Sequence, residues 1–293
     1  MNKKYQLTLN SINAGFSFLI MITLYLVLST VGQAIISSFL EVGSALYIAL
    51  CSLFSVLSMV ITVVYFSKRA SLSILKTCKV EKFNYKFIFL ALFLSFGMFL
   101  GLGFIKSAFV SLLEKLNLTV PSPQIPLENL GHLLLFTLSL AILPAIFEEV
   151  FFRGFLLTQL SKVKFLYAVI LISLSFSLYH CSLAQLIYQF IYGVGLILLC
   201  KCSGSIIPSI ISHFLNNFIV LIVEYFKIKI NLLNPFIIIL GIILLAIFFI
   251  LSLKVIKSKK EDENINEKVS SYLLFGGGIA MTICLVLAIF SVF

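Results

Sequence analysis

Polar residues in this chain come in short clusters, and between them the apolar residues run on. There is neither the alternation of a half-buried strand nor the single stripe of a surface helix. Apolar stretches fall at roughly 13–39, 43–66, 87–113, 131–158, 165–183, 185–201, 205–226, 233–256 and 271–293. At about 1.5 Å per residue, some 20 residues cross the ~30 Å hydrocarbon layer. Continuous runs also exclude a transmembrane β-barrel, whose strands alternate. The expected fold is therefore all-α, a polytopic transmembrane helix bundle. It has an eight-helix body and a ninth C-terminal helix set off by the hydrophilic run SKKEDENINEKVS at 258–270. Gly97 and Gly101 have the GxxxG spacing that favours close helix contact, and Gly276-Gly277-Gly278 would loosen or closely pack the last helix.

Composition sharpens this picture. The chain is 61% hydrophobic and 11% charged, against about 25% charged in a soluble domain. Lipid is its expected solvent, and membrane lipids are its first partners. The formal charge of +10 does not call for nucleic acid, because lysine-rich cytoplasmic loops account for it. Placing the N-terminus in the cytoplasm puts 17 of the 21 Lys and Arg residues inside and leaves Lys106, Lys115, Lys227 and Lys229 outside. A multi-pass protein of the cell membrane with a cytoplasmic N-terminus is the expectation. The basic MNKKYQLTLN start leads into a retained first helix rather than a cleaved signal, and the Pro-containing loop 115–130, with PSPQIP, faces outside. The six cysteines show no CxxC pair and read as small apolar packing residues.

The acidic residues lie in loops or at helix ends, with two exceptions. Glu148 and Glu149 sit inside the apolar stretch LLLFTLSLAILPAIFEEVFFRGFLL, where an ionisable group costs several kcal/mol unless it is partnered or wet. Arg153 is four residues after Glu149, so the two share a helix face and are expected to pair, with anchoring of a substrate as the alternative. Glu148 is turned about 100° from Glu149 and needs another partner. Pro144, one turn earlier, removes a backbone hydrogen bond and kinks the helix. Of the three histidines, His132 opens the fourth helix near the outer interface and reads as an interfacial polar residue. His180 and His213 lie deep in apolar runs. Phe176 is one turn before His180, and Asn217 is one turn after His213 on the same face.

Glu148-Glu149-x-x-x-Arg153, then Phe176-x-x-x-His180, then His213-x-x-x-Asn217, in that order on three helices, resembles the CPBP (Abi, or CAAX-protease-and-bacteriocin-processing) family, which includes the type II CAAX prenyl endopeptidases. The resemblance covers about 131–226 and divides the chain into N-terminal helices and loops at 1–130, a catalytic core at 131–226 and C-terminal helices at 227–293. It implies an intramembrane endopeptidase that hydrolyses a peptide bond of a membrane-associated protein or peptide. Glu148 would activate the water, His180 would help position it or stabilise charge, and His213 and Asn217 would bind the oxyanion. Glu149, Arg153 and Phe176 would support the site. The chemistry is consistent with this, since peptide hydrolysis needs a base and donors aimed at the developing oxyanion. The only aspartate, Asp262, is in a loop, so no aspartyl dyad is available. The favoured scheme needs no cofactor. The alternative is zinc held by Glu148, His180 and His213, although the sequence lacks HExxH. Two competing readings are a non-catalytic membrane protein of bacteriocin immunity and a transporter using the same polar cluster. No paired repeats or broken helices are apparent in the sequence to favour the latter.

Overall fold

The computed structural model describes residues 10–71, 73–118, 125–258 and 267–292. The basic N-terminal residues, most of the hydrophilic linker 258–270 and part of PSPQIP lie outside them. Among the described residues nine apolar helices form, where the apolar runs end in capping or breaking residues. They are α1 (Ser11–Ile36), α2 (Ala45–Arg69), α3 (Lys86–Lys115), α4 (Leu130–Gln159), α5 (Phe165–Tyr179), α6 (Leu183–Ser203), α7 (Ile207–Tyr225), α8 (Pro235–Ser258) and α9 (Val269–Phe290). Asn10 and Asn129 cap α1 and α4, their side chains accepting from the backbone N–H of Asn13 and of His132 at 2.9 Å. Gly204 closes α6 in the left-handed conformation, and Pro208 opens α7. No strand occurs among the described residues.

Eight of these helices are long and apolar enough to cross a membrane, which makes this a multi-pass membrane protein. Large apolar side chains such as Val27, Val31, Ile239, Ile243 and Ile250 point outward, an arrangement that lipid solvates and water does not. The ninth helix, α5, is shorter than the 165–183 run suggests. It has 15 residues, about 22 Å at the usual rise, and it stops short of the ~30 Å needed to span. Arg153, counted above with the inside charges, has no exposed surface, and because α5 does not span, the sides assigned to the cations after it no longer follow from the nine-span count.

The chain divides into two compact units. The first comprises Met1–Glu81, Ile125–Ala168 and Asp262–Ala280, and the second Lys82–Gln124, Val169–Glu261 and Met281–Phe293. In the first, α1 packs against α2 and against the start of α9. Tyr272 of α9 is fully buried, and Gly276 breaks that helix at φ +118°, a conformation that glycine adopts without strain. The break lies against the Gly15 backbone: a Cβ at Gly276 would stand 2.9 Å from the Gly15 carbonyl oxygen. A broken helix is therefore present after all. It serves close packing. In the second unit, α3 and α8 approach through glycine. A Cβ on Gly101 would stand 2.7 Å from the Gly241 carbonyl carbon, and one on Gly97 would press on Leu245.

Candidate functional site

The acidic motif belongs to the first unit, and α4 carries it in a modified helix. Thr137–Ile142 and Glu149–Leu156 are wound as π-helix around the short α-helical piece Leu143–Glu148. The first wide segment has a direct cause. The Pro144 ring would clash with the carbonyl four residues back, at Leu140, and an i→i+5 turn takes that carbonyl out of its way. The proline thus widens the helix where a simple kink was expected. The second π segment begins at Glu149 itself.

Glu149 and Arg153 form a buried ion pair: Arg153 Nη1 donates to Glu149 Oε1 at 2.8 Å, and neither side chain has exposed surface. The guanidinium carbon also lies 5.9 Å from the centre of the Phe152 ring. Around the pair, Phe151, Phe152 and Phe155 interlock edge-on or tilted with one another, with Phe18 of α1 and with Phe66 of α2. This aromatic shell excludes water and strengthens the electrostatic attraction inside. Glu148, on the next face, is buried at 7% exposure. His132 is half-buried at the first turn of α4, where its backbone N–H is held by the Asn129 cap.

The histidine motifs belong to the second unit, and here the structure does bring residues together. α5 ends at Tyr179, so His180 lies just past the helix rather than within it. The His180 backbone N–H turns to Ser177 at 3.4 Å, so the Phe176 carbonyl receives the His180 ring Nδ1 instead, at 2.8 Å. A carbonyl only accepts, so Nδ1 carries the proton, and in the neutral ring Nε2 carries the lone pair. Cys181 follows at φ +47°, and the chain turns into α6. His213, on α7, is almost fully buried. Its ring meets Phe176 edge-on at 5.8 Å and Tyr192 of α6 at 5.9 Å. Phe176 also contacts the His180 ring at 5.0 Å. Phe176 is thus the common wall of both imidazoles. Asn217, one turn after His213, is half-buried.

Several polar residues around this group escaped the sequence reading. Tyr188 donates its hydroxyl to Asn216 Oδ1 at 2.7 Å, next to Asn217. Tyr192 shares a hydrogen bond with Ser212 at 3.2 Å, and Ser212 with Ser95 of α3 at 2.9 Å. The signal was available: Tyr188 and Tyr192 are four apart within an apolar run, and a phenol buried in a bilayer needs a partner.

The six cysteines, four of them buried, are all unbridged. Within either unit, among the described residues, no three His, Cys, Asp or Glu side chains are gathered as metal ligands. No curated protein and no solved structure matches the chain. Residues 130–219, the segment that holds all three motifs, match the family model of the Rce1-like type II CAAX prenyl endopeptidases, which bears out over that segment the resemblance the motifs carry.

Proposed function

We propose that the chain is an intramembrane endopeptidase of the CAAX-protease type, acting on a membrane-associated protein or peptide. The observation that carries this reading is the coincidence of the family match at 130–219 with all of the deep ionisable and imidazole groups. Glu148 takes a proton from water as the oxygen attacks the scissile carbonyl. His180 accepts a hydrogen bond from that water at Nε2, a role supported by the protonation of Nδ1 against Phe176. His213 and Asn217 donate to the oxyanion, and Glu148 returns its proton to the leaving amine. The Glu149–Arg153 pair and Phe176 hold the two motif helices in shape. The protein sits in the cell membrane with its N-terminus in the cytoplasm, as the cations ahead of α5 favour, ten inside against two outside without the buried Arg153.

The test is cleavage of a quenched-fluorescent prenylated CAAX peptide by protein purified in detergent, with Glu148→Gln, His180→Ala and His213→Ala alongside. Each variant is expected to accumulate in membranes and to lose at least about a hundredfold in rate, the lower end for loss of acid–base catalysis. Full activity in Glu148→Gln sinks the glutamate scheme. Chelation separates the zinc alternative. A carboxylate and two imidazoles are donors that zinc takes, and an Nδ1–H bonded to a carbonyl is the usual outer support of a metal-bound histidine. Activity that survives exhaustive chelation favours the metal-free reaction. Activity that is lost and then restored by zinc favours the alternative.

A further inference from the structure

Behind His213 runs a chain of buried hydroxyls that neither the motifs nor the family match assigns. Tyr192, Ser212 and Ser95 have no exposed surface. Tyr192 Oη lies 3.2 Å from Ser212 Oγ, and Ser212 Oγ lies 2.9 Å from Ser95 Oγ. Ser95 Oγ also lies 2.9 Å from the Ala91 carbonyl and 2.9 Å from the Ser212 carbonyl. Each hydroxyl has one proton to give, and either oxygen of the Tyr192–Ser212 and Ser212–Ser95 pairs can be the donor. The relay links α6 through α7 to α3 and holds the Tyr192 phenol by its oxygen.

We propose that Tyr192 is a positioning residue for His213, its ring clamped by the Ser212–Ser95 hydroxyl relay so that its edge and that of Phe176 hold the imidazole at one orientation. Both rings stand at 85° to the His213 plane, with centroids 5.8 and 5.9 Å away. Ser212 precedes His213 in the chain, so the relay and the imidazole are tied through one peptide unit as well as through the ring contact. Packing alone leaves a ring free to slide in its plane, whereas a hydroxyl pinned at its far end does not. An oxyanion donor must be held within a few tenths of an ångström of its target, which gives the relay a use in the reaction. The catalytic consequence rests on the endopeptidase reading; the positioning itself does not.

The test uses the full chain in detergent micelles, labelled with [13Cε1]-histidine. Only three histidines are present, and His213→Gln identifies the His213 resonance. Tyr192→Phe removes the phenolic oxygen and keeps the ring. Ser212→Ala cuts the same relay at its middle. The expected result is that both variants shift the His213 resonance and leave those of His132 and His180 in place, with the unfolding midpoint lowered more by Ser212→Ala, which takes a partner from two buried hydroxyls, than by Tyr192→Phe. On the prenylated CAAX peptide, kcat falls about 3- to 10-fold with KM unchanged, the effect of one net hydrogen bond. The double variant falls no further than either single, because one relay is broken in both. A His213 resonance that stays put in both variants overturns the proposal, as does a uniform movement of all three histidines. A selective His213 shift in a protein that cleaves nothing, wild type included, leaves the positioning standing and removes the endopeptidase reading.

Discussion

Replacing Arg153 by methionine strands the Glu149 carboxylate without its cation in a site with no exposed surface. Opposite unit charges 2.8 Å apart attract by about 6 kcal/mol at an effective dielectric constant of 20. Taking the two ions out of water costs several kcal/mol each, so the intact pair contributes little net stability. Either half alone is a different matter, because the desolvation cost is then unmatched. Breaking a buried pair from one side costs about 3–5 kcal/mol, more than a hundredfold in the folded-to-unfolded ratio. Arg153→Met and Glu149→Gln are each expected to lose that much, and the double variant less than either single. The assay is unfolding by SDS titration in mixed micelles, with membrane accumulation read in parallel. The coupling energy of the cycle should exceed about 3 kcal/mol, above the range usual for contacting residues, because each single leaves a buried charge unmatched. Singles that each cost under about 1 kcal/mol, or a double variant equal to their sum, would refute the claim that these two residues enter the membrane as a unit.

Gly101→Ala places a methyl 2.7 Å from the Gly241 carbonyl carbon. α3 and α8 must separate, costing about 1–3 kcal/mol, and an unfolding curve matching wild type would contradict that contact. Cys78, between the α2 and α3 spans, has its thiol pushed by burial from 9.0 up to about 11. Below pH 9 its thiolate fraction is lower by about a hundredfold, so maleimide labelling of a variant with Cys78 as the sole cysteine should lag by that factor behind the unfolded chain. The rate should climb about tenfold per pH unit toward 11, and labelling as fast as in the unfolded chain would show the thiol to be open. Deleting Leu140 from the wide segment Thr137–Ile142 tightens it toward an α turn, so the Pro144 ring again meets a carbonyl four residues back and the helix must kink ahead of the acidic motif. Cleavage of the prenylated peptide should be lost, while deletion of Leu127 in the preceding loop is tolerated. Full activity after the first deletion would show that the wide turn has no part in aiming Glu148.

The helices were legible because lipid removes ambiguity. A long apolar run in a bilayer must satisfy its own backbone groups, and only a helix or a closed barrel does so. The Glu149–Arg153 spacing was legible for the same reason, since two charges within such a run require each other. What the residues did not reveal is the departure from α geometry. Pro144 announces a disturbance but not its form, and nothing in VFFRGFL spells a π turn at 149–156. The end of α5 at Tyr179 was hidden because the apolar character continues past it through Cys181 and Leu183. Hydropathy reads the solvent around a residue and is blind to whether its backbone is helical.

That end of α5 determines what His180 can do. Had the helix run on to 183, the His180 N–H would have bonded to the Phe176 carbonyl in the ordinary i→i−4 pattern, leaving the imidazole with neither a fixed tautomer nor a fixed rotamer. Because the helix stops, its last carbonyls need donors, and the side chain supplies one. The stop is held by Cys181 at φ +47°, a conformation tolerated by glycine and asparagine and resisted by β-branched residues. Lipid makes an unsatisfied carbonyl expensive, so the orientation of the ring and the termination of the helix stabilise each other. A valine at 181 would oppose both at once, whereas a glycine would keep the turn and with it the Nε2 lone pair. The orientation of the His180 ring is therefore tied to the end of α5, where the Phe176 carbonyl takes its Nδ1–H.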